Sequence, residues 1–336
     1  MTRRPATAAA LLLALGLLLT SALAACGSSS SDGGSSEPAA NSEGNDDAGS
    51  AGGTVTIEHR YGSTEAPVAP ERIVSLDTQW TDVLAALDAP PAGYIADPSS
   101  PDGYPWREDL LDDSAAIEAV DQLPYEKIAA LKPDLIVVSY LAQDEGDYEK
   151  LSAIAPTIAT LSDAEVDTWQ DITAAAGQVL GQEDEAAALV EQVDGGVAKV
   201  AEELPGLDGK TYSLVNYVAG DRFYVVADPD DGAAVLFDQL GLAITPDILD
   251  AAKGASGRVE LSLENAELFD ADLILLLANG SDPEDISGWN ELQAVQDGAE
   301  VVLDYDLAVG LNTPTPLSIP YALEEIRPAL EAAAAA

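Results

Sequence analysis

Four short apolar runs constrain the fold of this chain more than any other feature. They are RIVSL (Arg72 to Leu76), DLIVVSY (Asp134 to Tyr140), TYSLVNYV (Thr211 to Val218) and DLILLLA (Asp272 to Ala278). RIVSL is a short β-rich run; the other three are too continuous for half-solvated strands and read as strands covered on both faces. Segments of helical spacing separate them, such as TDVLAALD (Thr81 to Asp88), and strand-helix alternation of this kind calls for α/β layers around mostly parallel sheets. The expected fold class is therefore α/β.

Two of the runs share a longer register. EKIAALKPDLIVV begins at Glu126 and ENAELFDADLILL begins at Glu264. In both, Glu opens a helical turn, Asp stands eight residues later, and Leu-Ile follows. The repetition predicts two lobes, each carrying the same helix-then-strand unit. Between them, Ala186, Leu189, Val190, Val193, Val197 and Val200 recur at three- and four-residue steps, the spacing of an amphipathic helix. Pro205-Gly206 stops it, and the Gly195-Gly196 pair predicts a bend within it. Two Rossmann-like lobes joined by a long interdomain helix, with a ligand cleft between them, is the expected architecture. The expected boundaries are 54–165 for the first lobe, 166–206 for the helical linker and 207–336 for the second lobe.

The N-terminal stretch has a different character. Thr2, Arg3 and Arg4 precede an apolar run from Ala8 to Leu19, too short to span a bilayer. Leu23-Ala24-Ala25-Cys26 then ends in the chain's single cysteine and resembles the lipobox of bacterial lipoproteins. That resemblance implies a signal peptide over 1–25 and lipidation of Cys26. Residues 26–53 hold Gly, Ser, Asp, Glu, Ala and Asn with little to bury, so a disordered tether is expected. Together these predict a lipid-anchored protein on the outer face of the bacterial cytoplasmic membrane.

Charge excludes several partners. Acidic residues number 60 against 14 basic ones, for a net charge of −46, so nucleic acid and anionic lipid are poor partners. An acidic surface of this density suits a saline or alkaline habitat, where salt screens its self-repulsion. Catalysis finds little support: the sequence offers no Ser-His-Asp set, no cysteine nucleophile, no phosphate loop and no HExxH. A bare transition-metal site would lean on imidazole, and His59 is the only histidine.

Five segments, APERIVSLDTQWTDVLAALDAPPAGY, YEKIAALKPDLIVVSY, YEKLSAIAPTIA, WNELQAVQDGAEVVLD and PLSIPYALEEI, resemble in this order the iron-siderophore substrate-binding proteins of ABC importers. The resemblance runs from about Val55 to Leu330. It implies two α/β lobes bridged by a long helix, little closure on binding, and a monomer that receives a ferric siderophore and delivers it to a permease dimer. The iron(III) arrives already wrapped in a chelate, so no cofactor or metal is expected to be bound directly. The resemblance also implies one exposed permease-docking glutamate per lobe, which maps to Glu126 and Glu264. The alternative reading makes them ordinary first-turn glutamates, with Ser262 capping the second helix.

Ligand groups are expected at the lobe-facing ends of strands. By that rule the candidates are Trp80, Trp106, Tyr140, Tyr217, Arg222, Tyr224 and Arg258. The loop EAVDQLPYE carries no arginine before Glu126, unlike many ferric-hydroxamate binders. The net charge nonetheless favours a neutral or cationic trihydroxamate of the ferrioxamine type over a triply anionic catecholate. Haem or a corrinoid is the alternative ligand, with tyrosine the available axial donor for haem. A surface or signalling lipoprotein without a ligand is the alternative of a different class.

Overall fold

The computed structural model describes residues 53–107, 109–119, 122–142, 144–253 and 257–336. The expected signal peptide, Cys26 and the expected tether up to residue 52 lie outside the described residues. A hairpin, β1 (Thr54–His59) and β2 (Gly62–Pro67), comes first. Five strands follow: β3 (Ile73–Ser75), β4 (Gly93–Ala96), β5 (Ala115–Glu118), β6 (Leu135–Val137) and β7 (Thr157–Ile158). They pair in parallel in the order β5-β4-β3-β6-β7.

The second sheet contains β8 (Thr211–Val218), β9 (Arg222–Val226), β10 (Ala243–Ile244), β11 (Arg258–Ser262), β12 (Leu273–Leu277) and β13 (Glu300–Leu303). Its order is β11-β9-β8-β12-β13, with β10 also on β8. The β8-β9 and β9-β11 pairs are antiparallel and the rest parallel. The protein is thus bilobed α/β, and both sheets belong to one compact unit.

The continuous apolar runs are explained by burial on both faces. In the first lobe Ile73, Leu135 and Val137 enter one core, while Val74, Ile136 and Val138 enter another on the opposite face. Alternation of side chains along the strand divides one apolar run between two cores.

The repeated register has a physical basis. β6 and β12 each stand fourth in their sheets, and each is preceded by the repeated Asp. Asp134 accepts the Glu71 and Arg72 N–H groups at 2.8 and 2.9 Å, tying the start of β6 to the start of β3. Asp272 accepts the Thr211 N–H at 2.8 Å and its hydroxyl at 2.9 Å, tying the start of β12 to the start of β8. The lead-in segments differ, however. Glu126 lies in a true α-helix, Tyr125–Ala130. Glu264 precedes only a 3-10 turn, Ala266–Phe269. Ser262 does not cap a helix there; its backbone carbonyl accepts the Asn265 N–H at 3.0 Å.

Two helices connect the lobes, Trp169–Leu180 and Glu183–Glu203. Gly181 separates them in the left-handed region, φ 67°, where a side chain would be strained. Their apolar residues serve both lobes: Ile172, Ala175, Ala176, Val179 and Ala186 enter the first core, and Trp169, Val193 and Val197 the second. Contrary to expectation, the Glu183–Glu203 helix runs unbroken through Gly195-Gly196. Backbone hydrogen bonds and one buried stripe hold it there against the low helix propensity of glycine.

Candidate functional site: a cleft between the lobes

Two cavities open at the carboxyl ends of the two sheets. One, of about 530 Å³, is lined by Asn216, Tyr224, Glu260 and Leu277 of the second lobe. The other, of about 460 Å³, is lined by Asp77, Asp97, Tyr104 and Tyr140 of the first. Glu165, Arg258, Tyr305, Val309 and Asn312 line both, so the two form the halves of one interlobe cleft. Strand carboxyl ends are where open α/β sheets place ligands, because backbone and helix-start donors converge there.

Arg258 organises the wall shared by the two halves. Its guanidinium donates to Asp231 at 2.9 Å and to the Asn312 side chain at 2.8 Å, and it pairs with Glu165 at 3.4 Å. Asp231 in turn accepts the Ala233 N–H at 2.9 Å and so caps the helix Gly232–Gln239. Burial pushes the Asp231 carboxyl up, and the neighbouring guanidinium offsets part of that shift. Among the described residues Arg258 is the one cation lining the cleft, against Asp77, Asp97, Glu165 and Glu260. The wall is therefore acidic in balance.

On the first-lobe side, Asp77 caps the helix Thr78–Ala86 by accepting the Trp80 N–H at 3.0 Å. It also accepts the Ser139 N–H and hydroxyl at 2.6 and 2.8 Å. Burial raises its carboxyl to about 6 despite these donors. Tyr140 lies beside it, and burial followed by the Asp77 charge pushes that phenol up. Asp97 accepts hydrogen bonds from Tyr104 at 2.7 Å and Tyr305 at 2.8 Å. Burial, then the bond to Asp97, raises the Tyr305 phenol to about 12.

Below the cleft the lobes are joined by buried polar contacts. Gln79 donates to the carbonyls of Asp167 at 3.1 Å and Pro314 at 3.2 Å. Asp82 accepts from Arg107 at 2.9 Å, Trp106 at 2.7 Å and Thr315 at 2.9 Å.

Of the residues expected at the ligand, Tyr140, Tyr224 and Arg258 line the cleft. Four others do not. Trp80 is 0% exposed in the first core. Tyr217 is 5% exposed and its ring packs on Phe223 at 5.2 Å. Trp106 stacks on Tyr104 at 4.7 Å and leans on Tyr321 at 5.7 Å; Gly310 leaves room for it, since a Cβ there would lie 3.2 Å from the indole. Its place is the interlobe seam. Arg222 sits outside the cavity wall, paired with Asp221 at 3.2 Å and with Glu260. Glu126 and Glu264 are both exposed and line neither half of the cleft.

The sequence reading missed Asp97, Tyr104, Glu165, Tyr305 and Asn312. Asp97 directly follows β4 and Tyr305 closely follows β13, so the strand-end rule applied to every strand would have reached both. No group of three or more His, Cys, Asp or Glu side chains suited to a metal occurs among the described residues.

Comparison with known proteins agrees with this geometry. Residues 73–306 match the family described as periplasmic binding protein. The chain is 28% identical over 267 residues to the probable siderophore-binding lipoprotein YfiY of Bacillus subtilis, covering 74% of this chain and 80% of that one. It is also similar to the structure of Streptococcus pneumoniae PiaA in complex with ferrichrome, with TM-score 0.71, 27% identity, and coverage of 83% of this chain and 98% of that one. Staphylococcus aureus SirA complexed with staphyloferrin B gives TM-score 0.68 and 26% identity over 83% and 98% of the two chains.

Proposed function

The chain belongs to the periplasmic binding protein family, and from that premise we propose that it captures a ferric siderophore outside the cytoplasm and delivers it to an ABC importer. The observation that carries the reading is the cleft itself, whose halves meet at Arg258, Glu165 and Tyr305. Each half falls within the range of about 300–1,000 Å³ usual for small-molecule sites. The relatives named for siderophore binding, or solved with ferrichrome and staphyloferrin B, support the same ligand class. Tyr140, Tyr224 and Arg258 are the ligand-facing groups in this reading.

The acidic wall favours a neutral or cationic hydroxamate chelate. A triply anionic catecholate complex would meet four carboxylates and one guanidinium already engaged by Asp231, a net repulsion in a partly desolvated cleft. Cys26 serves as the lipid anchor on the outer face of the cytoplasmic membrane, and Glu126 and Glu264 as the docking points for a permease dimer that meets a monomer. The two glutamates lead into topologically equivalent strands, which supports a symmetric partner.

Tryptophan fluorescence titration with ferrioxamine B and with a ferric tris-catecholate tests the ligand. Saturable quenching, tighter for ferrioxamine B, is expected. Tighter binding of the catecholate would remove the charge argument, and no response to either would remove the siderophore reading.

A further inference from the structure

One edge of the cleft presents an oxygen arrangement of its own. Asp97 Oδ2 accepts both the Tyr104 hydroxyl at 2.7 Å and the Tyr305 hydroxyl at 2.8 Å. Its Oδ1 is held by the Ser99 N–H at 2.8 Å. Asp97 and Tyr104 belong to the first lobe, and Tyr305 begins the helix Tyr305–Asn312 of the second. All three line the first-lobe half of the cleft. None of the ion pairs among the described residues involves Asp97, so its charge is balanced only by neutral donors.

Carboxylate and phenolate oxygens are the donors that a hard cation prefers. An octahedral hard-cation site with metal–oxygen bonds of about 2.0–2.1 Å places adjacent donors roughly 2.8–3.0 Å apart. The 2.8 Å between Asp97 Oδ2 and Tyr305 Oη is the length of such an edge. We infer that Asp97 and Tyr305 complete the coordination of a ferric ion brought in by a tetradentate dihydroxamate, with Tyr104 as the positioning residue for Asp97. This rests on the ferric-chelate reading and narrows it.

A dihydroxamate fills four of the six ferric positions and leaves an adjacent pair to water. Its complex bears a single net positive charge, which suits a wall where carboxylates outnumber the one guanidinium. On docking, the two waters leave. The Asp97 carboxylate takes one position; the Tyr305 phenol releases its proton to solvent and takes the other. No electron changes hands. A trihydroxamate already fills every position and engages neither residue.

The test uses the full chain with two probes, the equimolar ferric complex of octanedihydroxamic acid and ferrioxamine B, read by affinity and by resonance Raman. The bound dihydroxamate complex should show tyrosinate ring vibrations that the bound ferrioxamine B complex lacks. Tyr305→Phe should abolish them and weaken dihydroxamate binding by about tenfold or more, and Tyr104→Phe should retain them with about tenfold weaker binding. Binding of the dihydroxamate without tyrosinate vibrations, or their persistence in Tyr305→Phe, overturns the inference. Binding of ferrioxamine B alone overturns it and leaves the siderophore reading standing; binding of neither overturns both.

Discussion

Asp134 and Asp272 play the same part in different lobes: each carboxylate, placed just before the fourth strand of its sheet, holds a backbone N–H at the start of the neighbouring strand, Arg72 just ahead of β3 at 2.9 Å and Thr211 at the head of β8 at 2.8 Å. These contacts set strand register at the edge of each core, where a slip would turn buried side chains outward. Asp134→Ala and Asp272→Ala should each lower stability by about 1–3 kcal/mol in urea denaturation. The two losses should add, because the residues share no partner. A double variant no less stable than either single one would show the two clamps to be dispensable.

Asp77 supplies a pH dependence of defined sign. Its carboxyl is raised to about 6 in the folded protein by burial, so the folded state holds its proton more tightly than the unfolded chain. Its contribution to stability is full below the ordinary carboxylate value and is lost as pH rises through about 6. The loss is on the order of 3 kcal/mol. Urea midpoints of the wild type and Asp77→Asn, compared from pH 4 to 7, should diverge with that slope. Parallel profiles would contradict the burial argument whatever the offset between them.

Arg107 and Asp82 form an ion pair at 2.9 Å with side chains 6% and 0% exposed. Arg107→Met removes the cation and leaves a sealed carboxylate, at a cost of about 3–5 kcal/mol. Asp82→Asn in the same chain should recover much of the loss, since no buried charge then remains. If Arg107→Met alone leaves the denaturation curve unchanged, the pair contributes nothing to the seam.

The docking proposal separates from ligand binding. Glu126→Ala and Glu264→Ala should together abolish ferric-chelate uptake in cells while leaving the affinity of the purified protein within about twofold, because both residues are exposed and line neither half of the cleft. Undiminished uptake would leave them as ordinary surface carboxylates.

With a net charge of −46, the folded protein pushes against itself at low ionic strength. Its melting temperature should therefore rise as sodium chloride is added and the repulsion is screened. A falling melting temperature would refute the saline-habitat expectation.

The strands were legible because their apolar runs leave no polar face to solvate, and β8 spans the whole of the expected Thr211–Val218 run. Two-residue strands such as β7 and β10 carry too little pattern to stand out. The cleft was partly legible. Tyr140 and Tyr224 were reached by the strand-end rule, but the same rule placed Trp80 at the ligand, although Trp80, Val83, Leu84 and Leu87 share helical spacing and all lie in one core. Periodicity was the stronger signal there. Tyr217 shares its strand face with the buried Val215, whereas Tyr224 alternates with the buried Phe223 and faces the cavity. Glu165 and Asn312 act through contacts between distant segments, which no local pattern reports.

Gln79 and Asp82 bolt both walls of the receptacle together beneath its floor, through Pro314 and Thr315. A vessel built this way diverts little energy into rearranging itself when cargo arrives, so retention is governed by walls already in place. Under the docking proposal, emptying it then takes leverage from outside, applied to the outward flanks of the two walls.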